Sequence, residues 1–544
     1  MIINKKHNYL SINIIFLLLL IFVELCYAND DLLNTKISNK KYRILGVFGH
    51  YGKSHFDVFK PLLEELANRG HDLTVISYFP RDNNSELLKN YKDIGLAGPD
   101  DKFLNIVDVK DIKHSPLTPI LEVLYLNQLS AKSCTTTFKN KNVQKLIKSR
   151  DVKFDIVITE TFNTDCHVAF SSHFNAPLIG ISTHVLMPWT SSRMINPDNP
   201  SYVPSILTEY STNMNFHQRM INSLIFVLSN FIYDTITTWK IQDIVDDAFG
   251  HDIGRLSDIA ANTSAILVNT HYSLHGAKPD NPNIIEIGGI HIKPQNLPND
   301  LKKILDNANE GVLYFSLGSM IKSSSMNNET LKEIFEVLGN IPQKVIWKFE
   351  TDRFDWIPPN FIIRKWLPQS AILHHPNTKG YLGHGGLLGM NEGISGGVPM
   401  CLVPFYGDQF VNSAAAKKRG IAEIIEWKNL NAKTLKLAID KIFNDTSYYE
   451  NAKKLQKAWH DRPMTPLETA VWWVEFIARG NGNEYLKTSA SSLNWYQRYL
   501  IDVGIVIIAI TFFIISIMYY LLKILLRIFK YLLSSNAHDV KKTN

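Results

Sequence analysis

The segment from residue 366 to residue 409 brings together residue types that can hold a diphosphate. His384-Gly385-Gly386 follows a short apolar strand at Tyr381-Leu382, and the pattern predicts a helix from about residue 387 to residue 395. A helix N-terminus beside glycines offers unpaired backbone N–H groups and the positive end of the helix dipole, both of which attract phosphate oxygens. His384 can donate one more hydrogen bond to such an oxygen.

Other side chains of this segment suit the remaining parts of a nucleotide-linked sugar. Glu392 lies two turns into the predicted helix, where it can accept hydrogen bonds from ribose hydroxyls, and Trp366 offers an aromatic face on which a base can stack. Asp408 and Gln409 begin the next predicted helix at the mouth of the same sheet. A carboxylate and an amide at that place suit the hydroxyls of a sugar.

A histidine near the N-terminus has the properties of a general base. His55 lies at the junction between the first predicted strand and the helix that follows, within Gly52-Lys53-Ser54-His55-Phe56. Near neutral pH, histidine is suited to remove the proton of an alcohol or phenol while that oxygen attacks a carbon. His50, on the same loop, is the alternative base, and we favour His55.

The elements that must position these residues follow a repeating strand and helix pattern. Apolar runs at 44–48, 73–79 and 154–159 predict strands, with a helix closed by Gly70 between the first two. After a stretch at 282–298 that is rich in Pro, Gly and Asn, strands are predicted at 312–317 and 344–349 with a helix at 331–338 between them. This alternation predicts two doubly wound α/β domains, which bind ligands beyond the carboxyl ends of their strands. The chain has no GxGxxG or Walker A motif, so hydride transfer and ATP hydrolysis lack their usual signatures.

The segment 366–409 resembles the signature of the UDP-glycosyltransferases. The residues in register are Trp366, Pro368-Gln369, His375-Pro376, His384, Gly386, Glu392, Gly397-Val398-Pro399, Pro404 and Asp408-Gln409. The resemblance covers nearly the whole mature chain and implies the GT-B fold, an α/β arrangement of two Rossmann-like domains that face a cleft. It also implies a UDP-sugar site formed by Ser319, Trp366, Gln369, His384, Gly386, Glu392, Asp408 and Gln409. Many members have asparagine where this chain has Leu388, a difference that resembles arthropod members.

The resemblance further implies the order of domains along the chain. We expect a signal peptide at 1–28, an acceptor-binding domain at 29–280, a linker at 281–300 and a UDP-sugar-binding domain at 301–495. A single transmembrane helix at 503–522 and a basic cytosolic tail at 523–544 are expected to follow.

The family also has an acid that orients the catalytic histidine, on the loop after a strand that begins Phe-Asp. Here Phe154-Asp155 begins such a strand, and both Glu160 and Asp165 follow on the chain. Glu160 matches the register, whereas Asp165 keeps the residue type that vertebrate members usually have. The sequence leaves both residues open as the partner of His55.

These features predict an inverting transferase that moves a hexose from UDP to a small lipophilic acceptor. Resemblance to arthropod members favours glucose as the sugar. UDP-sugar would be a co-substrate, and we expect no cofactor and no metal, because the Asp-any-Asp motif of metal-dependent sugar transferases is absent. The alternative is a membrane-tethered UDP-sugar-binding protein without turnover, although such a binder would have no need of His55. The acceptor is unreadable from the sequence, and the oligomeric state stays open, with a homo-oligomer as one alternative.

Composition and charge exclude several other classes of protein. The chain has 544 residues, 45% of them hydrophobic and 20% charged, which is typical of a globular protein. Its formal net charge of +6 lies mostly in the C-terminal tail, so the central part lacks the basic face that nucleic-acid binding requires. Four cysteines make no CxxC pair, and Cys26 falls in the predicted signal peptide. Of Cys134, Cys166 and Cys401, at most one pair can form a disulfide bond.

Targeting signals predict a luminal protein with one membrane anchor. Lys5 and Lys6 precede an apolar stretch that resembles a cleavable signal peptide, with an uncleaved anchor as the alternative. Residues 503–522 carry no charge, and basic residues follow them at once, which places the tail on the cytosolic side. Lys541 and Lys542 resemble a dilysine signal for retrieval to the endoplasmic reticulum. Sequons at Asn83, Asn262, Asn328 and Asn444 fit a luminal domain.

Overall fold

A seven-stranded parallel sheet forms the first half of the protein. The computed structural model describes residues 40–81, 89–98, 104, 106–112, 115, 117–351, 354, 356–480 and 485–540. The strand order is β3-β2-β1-β4-β5-β6-β7, with all neighbours parallel. The strands are β1 Arg43–Phe48, β2 Asp72–Ser77, β3 Tyr91–Gly95, β4 Ile156–Glu160, β5 Leu178–Ser182, β6 Ala265–Val268 and β7 Ile284–Glu286.

A six-stranded parallel sheet forms the second half. Its order is β10-β9-β8-β11-β12-β13, the same arrangement as the first six strands of the first sheet. The strands are β8 Val312–Ser316, β9 Lys344–Lys348, β10 Phe361–Arg364, β11 Thr378–Gly383, β12 Met400–Leu402 and β13 Ala422–Ile424. In both sheets the strand order reverses between the first and fourth strands, and ligands of such sheets bind at that point, beyond the carboxyl ends.

Helices cover the sheets and connect their strands. They are α1 Lys53–Asn68, α2 Thr118–Lys139, α3 Lys141–Ile147, α4 Ala169–Phe174, α5 Pro188–Arg193, α6 Phe216–Ile232, α7 Thr238–Phe249, α8 Leu256–Ala261, α9 Tyr272–His275, α10 Asn299–Asp306, α11 Asn328–Gly339, α12 Gln369–Leu373, α13 Leu387–Gly396, α14 Gln409–Lys418, α15 Ala432–Asn444, α16 Thr446–His460, α17 Pro466–Ala478, α18 Trp495–Arg498 and α19 Ile501–Val540. A π-helical turn, Tyr233–Thr237, joins α6 to α7. A separate two-stranded pair joins Val107–Asp108 to Ile321–Lys322.

Apolar side chains on both faces of each sheet are buried in hydrophobic cores. In β1, Ile44 and Phe48 lie in one hydrophobic core, whereas Leu45 and Val47 lie in the core on the opposite face. Successive side chains of a strand point to opposite faces, so the apolar run from Ile44 to Phe48 needs helices on both sides. The predicted α/β GT-B fold, with two Rossmann-like domains, is confirmed.

Two parts of the chain depart from the predicted domain ranges. The segment 281–300, predicted as a linker, contains β7, which is the edge strand of the first sheet, and the start of α10. Helix α17 lies in the range assigned to the second domain, but its residues Ala470, Val471 and Val474 pack in a core of the first sheet. A strand of three residues is hard to predict within a segment rich in Pro and Gly. The apolar periodicity of a helix predicts the helix but does not indicate which sheet it covers.

The described chain divides into two compact units between residues 486 and 487. The second unit contains α19, whose stretch Ile501–Ser534 is apolar and long enough to cross a membrane. The predicted span at 503–522 lies inside this helix, and the helix continues through Lys523, Arg527 and Lys530, which were predicted to begin the tail. The signal peptide at 1–28, the sequon at Asn83 and the lysines 541 and 542 lie outside the described residues.

Three of the four cysteines and three of the four sequons fall on described residues of the first unit. Cys134 and Cys166 form a disulfide bond, and Cys401 is free and buried. The bond joins α2 to the segment after β4, and it fits the oxidising environment of a secretory lumen. Asn262, Asn328 and Asn444 are all exposed.

Candidate active site

A cavity of about 970 Å³ lies where the carboxyl ends of the two sheets face each other. Residues from both halves of the first unit line it, among them His55 from the first half and His384 from the second. The eight residues predicted for the UDP-sugar site all border this cavity: Ser319, Trp366, Gln369, His384, Gly386, Glu392, Asp408 and Gln409. The structure therefore brings the predicted sugar-nucleotide residues and the predicted base into one space.

His384 follows β11 and lies against the loop that contains Gly318, whose backbone conformation requires glycine. Gly318 has φ +81°, and a Cβ atom placed there would lie 2.7 Å from the His384 ring. Gly385 has φ +82°, and a Cβ atom there would lie 2.8 Å from the backbone oxygen of Gln409. These glycines let the two loops close around the imidazole. Burial lowers the pKa of His384 to about 4, with a further contribution from the charge of Lys348, so the ring is neutral at pH 7.

Gly386 is the N-cap residue of helix α13, as the sequence predicted. The first N–H of the helix, from Leu387, donates to the carboxylate of Asp408. The predicted difference from the family, Leu388, also borders the cavity. The helix end thus points into the space where an anion would be bound.

Glu392 belongs to a buried hydrogen-bond chain. The side-chain amide of Gln369 donates to Glu392, and the hydroxyl of Tyr314 donates to Gln369 Oε1 at 3.2 Å. Burial raises the pKa of Glu392 to about 7, although the bond from Gln369 opposes this shift. The carboxyl group is held in one orientation beside the cavity. Trp366, by contrast, is 61% exposed, so its ring face is accessible.

Asp408 and Glu122 approach each other from opposite halves of the cleft. Glu122, on α2, accepts a hydrogen bond from the backbone N–H of Gly407, next to Asp408. Asn412 Nδ2 donates to Asp408 at 2.8 Å. Burial raises the pKa of Glu122 to about 7 and that of Asp408 to about 6. Gln409 uses its side-chain oxygen to accept the backbone N–H groups of Phe405 and Tyr406, at 2.8 and 3.3 Å.

His55 is held by Glu160 and Thr183. His55 Nδ1 donates to Glu160 Oε1 at 2.5 Å, and the Thr183 hydroxyl lies 3.1 Å from the same nitrogen and 3.5 Å from the same oxygen. The His55 side chain is 21% exposed and that of Glu160 only 5%. Burial lowers the pKa of His55 to about 4 and raises that of Glu160. Since Nδ1 carries the proton, Nε2 is left as the basic nitrogen.

Asp165, the other acid left open by the sequence, lies in a different cluster. It accepts a hydrogen bond from Arg193 Nε at 3.3 Å, and Arg193 also donates to Asp234 at 2.6 Å. The hydroxyl of Tyr233 contacts Asp165 from the other side. Asp165 is held in this cluster and does not bond to His55, so of the two acids that the sequence left open it is Glu160 that contacts the predicted base.

Aromatic rings surround the pair formed by His55 and Glu160. The ring of His50 lies 4.4 Å from that of His55 between centroids, and Phe162 lies edge-on to both rings at 5.1 and 5.0 Å. His184 lies 6.0 Å from His55 and uses Nδ1 to donate to the Val185 carbonyl at 2.6 Å. Burial lowers the pKa of His50 to about 3. Among the residues that the structure describes, Glu160 bonds to His55 and not to His50.

Sequence reasoning missed several residues that line or support the cavity. They are Glu122, Thr183, His184 and Lys348. Lys348 is the last residue of β9 and donates to the Gly318 carbonyl at 3.0 Å, while Thr183 and His184 directly follow β5. Thr183, His184 and Lys348 could therefore have been predicted, because each is a polar residue at the carboxyl end of an apolar strand. Glu122 had no such signal, because it lies in the interior of a long helix.

Across the described parts of the chain, no group of three or more His, Cys, Asp or Glu side chains is placed to hold a metal ion. The cationic and donor groups that line the cavity include His384, Lys348 and the N-terminus of α13.

Known proteins resemble this chain over most of its length. The family model described as "UDP-glucoronosyl and UDP-glucosyl transferase" matches residues 50–538. UDP-glucosyltransferase 2 of Dactylopius coccus is 37% identical over 478 residues, which cover 86% of this chain and 90% of that protein. Human UDP-glucuronosyltransferase 2B15 is 31% identical over 481 residues, covering 83% and 87% of the two chains. Among solved structures, glycosyltransferase VinC in complex with dTDP superposes with a TM-score of 0.55 at 16% identity, covering 80% of this chain and 100% of that one.

Proposed function

Since the chain belongs to the family of UDP-glucuronosyl and UDP-glucosyl transferases and is a UDP-glycosyltransferase, we propose that it moves glucose from UDP to a hydroxyl of a small lipophilic acceptor. His55 is the proposed general base, and the anomeric carbon inverts. The observation that carries this proposal is the hydrogen-bonded pair of His55 and Glu160 at the edge of a cavity whose other wall carries the sugar-nucleotide residues.

The proposed reaction is a single displacement. The acceptor hydroxyl gives its proton to His55 Nε2 while its oxygen forms a bond to the anomeric carbon. The bond from that carbon to the diphosphate oxygen breaks, and UDP leaves with the electron pair. Glu160 stabilises the imidazolium that forms and fixes the tautomer in which Nε2 faces the acceptor. The lowered pKa of His55, caused by burial, keeps the base free of protons at neutral pH.

The diphosphate is the part of the donor that carries formal charge. In the proposed complex it lies against His384 and the N-terminus of α13, with the ammonium group of Lys348 behind the Gly318 loop. These groups supply hydrogen bonds and positive potential, so the proposed chemistry uses no cofactor or metal. Glu392 holds the ribose and Trp366 the base.

Two acidic side chains in the cavity, Glu122 and Asp408, support the proposal that the transferred sugar is a neutral hexose. Burial raises the pKa of both Glu122 and Asp408, and the charge of Asp408 raises that of Glu122 further. A glucuronate would add a third carboxylate to this pair, which electrostatic repulsion disfavours. Glucose instead offers hydroxyls that donate to these oxygens. The printed name of the Dactylopius coccus relative, a glucosyltransferase, agrees with this choice.

The acceptor end of the cavity supports a lipophilic acceptor. Its walls are apolar side chains from several elements of the first half: Leu121, Leu126, Phe162, Met187, Ile206 and Leu207. His55 is the polar group that meets the acceptor hydroxyl there, and a small aromatic alcohol satisfies both parts of the pocket.

A screen of donors and acceptors tests the proposal. Full-length protein in membranes would be supplied with UDP-glucose, UDP-galactose or UDP-glucuronate and a panel of phenols, and release of UDP and formation of the glycoside would be measured. We expect UDP-glucose to be used best, and Asp408→Asn to change the sugar that is accepted more than the affinity for UDP. Preference for UDP-glucuronate would overturn the choice of sugar. UDP binding without product for any donor would favour the alternative of a binding protein.

We also propose that the protein is a type I protein of the endoplasmic reticulum membrane, with its large unit in the lumen. The apolar helix Ile501–Ser534, the exposed sequons and the disulfide bond support this placement. The tail after residue 522 carries five basic residues and one acidic residue, which favours the cytosolic side.

A further inference from the structure

Helices α6 and α7 expose a row of large apolar side chains to solvent. Phe216, Met220, Leu224, Val227, Phe231 and Trp239 are between 52% and 75% exposed, and we call these six residues the apolar stripe. The first five follow one another at intervals of three or four residues, which places them on one face of the helix. From Phe216 to Trp239 the stripe is about 35 Å long at 1.5 Å per residue.

The opposite face of the same helices is anchored in the folded unit. Ile225 and Tyr233 pack in a core with Val123 and Trp189. The side chain of Asn222 donates to the carbonyls of Pro200 and Val203, at 2.7 and 2.9 Å. By length and composition alone, these helices could cross a membrane. The contacts of their buried face instead hold them along the surface of the unit. They are therefore not free to cross a bilayer.

The exposed apolar area is in the range at which surface patches often have a function. The three aromatic members of the stripe, each with roughly 150–250 Å² of side-chain surface, alone expose on the order of 400 Å². Contiguous apolar patches on soluble proteins rarely exceed a few hundred Å², and larger ones mark interaction sites. The neighbouring helix α2 adds Leu117 and Leu121, which are 66% and 56% exposed. Leu121 also borders the cavity.

The charges near the stripe suit a lipid surface. Between Phe216 and Trp239 the charged residues are Arg219 and Asp234, and the carboxylate of Asp234 is bonded to Arg193 at 2.6 Å. Arg219 lies at one end of the stripe, and Lys240 follows Trp239 at the other. Cations at both ends of an apolar row can reach lipid phosphates while the row is immersed, and tryptophan favours the same interfacial depth.

The length of the chain keeps this unit near a bilayer. The segment 487–500 leads from the end of the first unit to the apolar helix α19. Fully extended, such a segment reaches about 50 Å. If α19 spans the membrane as proposed above, the large unit cannot diffuse away from the bilayer surface, and the local concentration of lipid around the stripe is permanently high.

We propose that the apolar stripe lies in the interface of the bilayer, parallel to the membrane plane. This contact adds a second attachment to the one made by α19. It brings the apolar residues around Leu121, and with them the acceptor end of the cavity, to the lipid surface. A lipophilic acceptor dissolved in the membrane would then reach the cavity without passing through water, a consequence that rests on the proposed function.

Spin labels in the full-length protein test the contact. Single cysteines would be introduced as Leu224→Cys and Val227→Cys and labelled after reconstitution into vesicles of phosphatidylcholine and phosphatidylserine. Among the described residues, the buried Cys401 and the disulfide-bonded cysteines provide an unreactive background, and Cys26 would be replaced by Ser in every variant. Leu437→Cys is the matched control, because Leu437 is 59% exposed on another helix, against 57% for Leu224. Ile507→Cys, on α19, reports whether the anchor itself is in lipid.

We expect the labels at 224, 227 and 507 to be more accessible to oxygen than to a water-soluble nickel chelate, and the label at 437 to show the reverse. A label at 507 in lipid with labels at 224 and 227 in water would overturn the contact while leaving the anchor intact. If the label at 507 were also in water, the anchor on which the inference rests would fail. Dipolar broadening between labels at 227 would instead indicate a second copy of the chain on the stripe, and it would equally overturn the lipid contact.

Discussion

Glu160 Oε1 lies 2.5 Å from His55 Nδ1, although the two residues are 105 positions apart in the chain. Adjacent parallel strands create this contact, because β1 pairs with β4 so that Val47 lies opposite Thr159. His55 follows the carboxyl end of β1, and Glu160 ends β4. The register of two neighbouring strands thus places an acid behind the histidine, and Nε2 is the nitrogen that we propose takes the proton of the acceptor.

His55→Ala should reduce kcat by about 10²–10⁴-fold, the usual contribution of a positioned base. UDP affinity should be unchanged, because His55 lies on the acceptor side of the cavity. Steady-state kinetics with a phenol acceptor and calorimetric titration with UDP would measure the two effects. His50→Ala is the matched control and should be mild, and more than a tenth of the activity remaining in His55→Ala would refute the assignment.

Glu160→Gln should lower kcat by at least tenfold, since the amide can no longer stabilise the imidazolium. Asp165→Asn should leave the chemical step nearly intact and reduce thermal stability instead, because it removes one charge from a buried cluster with Arg193. Kinetics and thermal unfolding of both variants would separate the roles. The opposite pattern, with Asp165→Asn losing turnover and Glu160→Gln only stability, would reassign the acid.

His384→Ala should raise the KM for the UDP-sugar and weaken binding of UDP itself. A side chain that donates to phosphate acts in both complexes, so the two losses should be similar in size. Titration with UDP and with UMP would check this, because the loss should shrink when the ligand has no β-phosphate. Equal UDP affinity in the variant and the parent protein would mean that His384 serves packing only.

Glu392→Gln should flatten the dependence of stability on pH. Burial raises the pKa of Glu392 in the folded protein to about 7 from an ordinary value of 4.5. The folded state therefore favours the protonated form, so this group stabilises the fold below pH 4.5 relative to neutral pH, and that stability is lost as the pH rises towards 7. The loss is of order 1–3 kcal/mol. Thermal unfolding from pH 4.5 to 7.5 should show a smaller decline for Glu392→Gln than for the parent protein, and parallel curves would contradict the shift.

The proposed topology can be tested without a substrate. Protease added to sealed microsomes should remove only a C-terminal fragment of a few kilodaltons and leave the large unit protected. Once detergent is added, the large unit should become sensitive to glycosidase. Digestion of the large unit in sealed vesicles would overturn the orientation.

A second variant separates retrieval from orientation. Replacing Lys541 and Lys542 by Ser should let the protein leave the endoplasmic reticulum, and its glycans should then become resistant to endoglycosidase H. Unchanged glycans in this variant would refute only the retrieval signal.

The sequence by itself determined the family, the two-domain fold and which residues of the second half line the cavity where we propose that the sugar nucleotide binds. All of these rest on short-range patterns. The apolar runs of β1 and β8 are too short for helices, and the glycines around His384 mark a strand, turn and helix within a few residues. Helix α13 begins just after His384 and contains Glu392, so its regular geometry fixes the distance between these two residues. Their placement therefore needed no long-range information.

Only the tertiary structure decided which distant residues meet. Glu160 ends β4 and Asp165 follows five positions later on the loop, and the fold brings the first to His55 and the second to Arg193. Glu122 reaches Gly407 because α2 faces the second sheet across the cleft, and α17 returns to the first sheet although it follows the second. Such contacts depend on how whole helices and sheets pack together, because that packing must satisfy buried polar groups from many parts of the chain at once. The spacing of residues within one segment does not predict this packing.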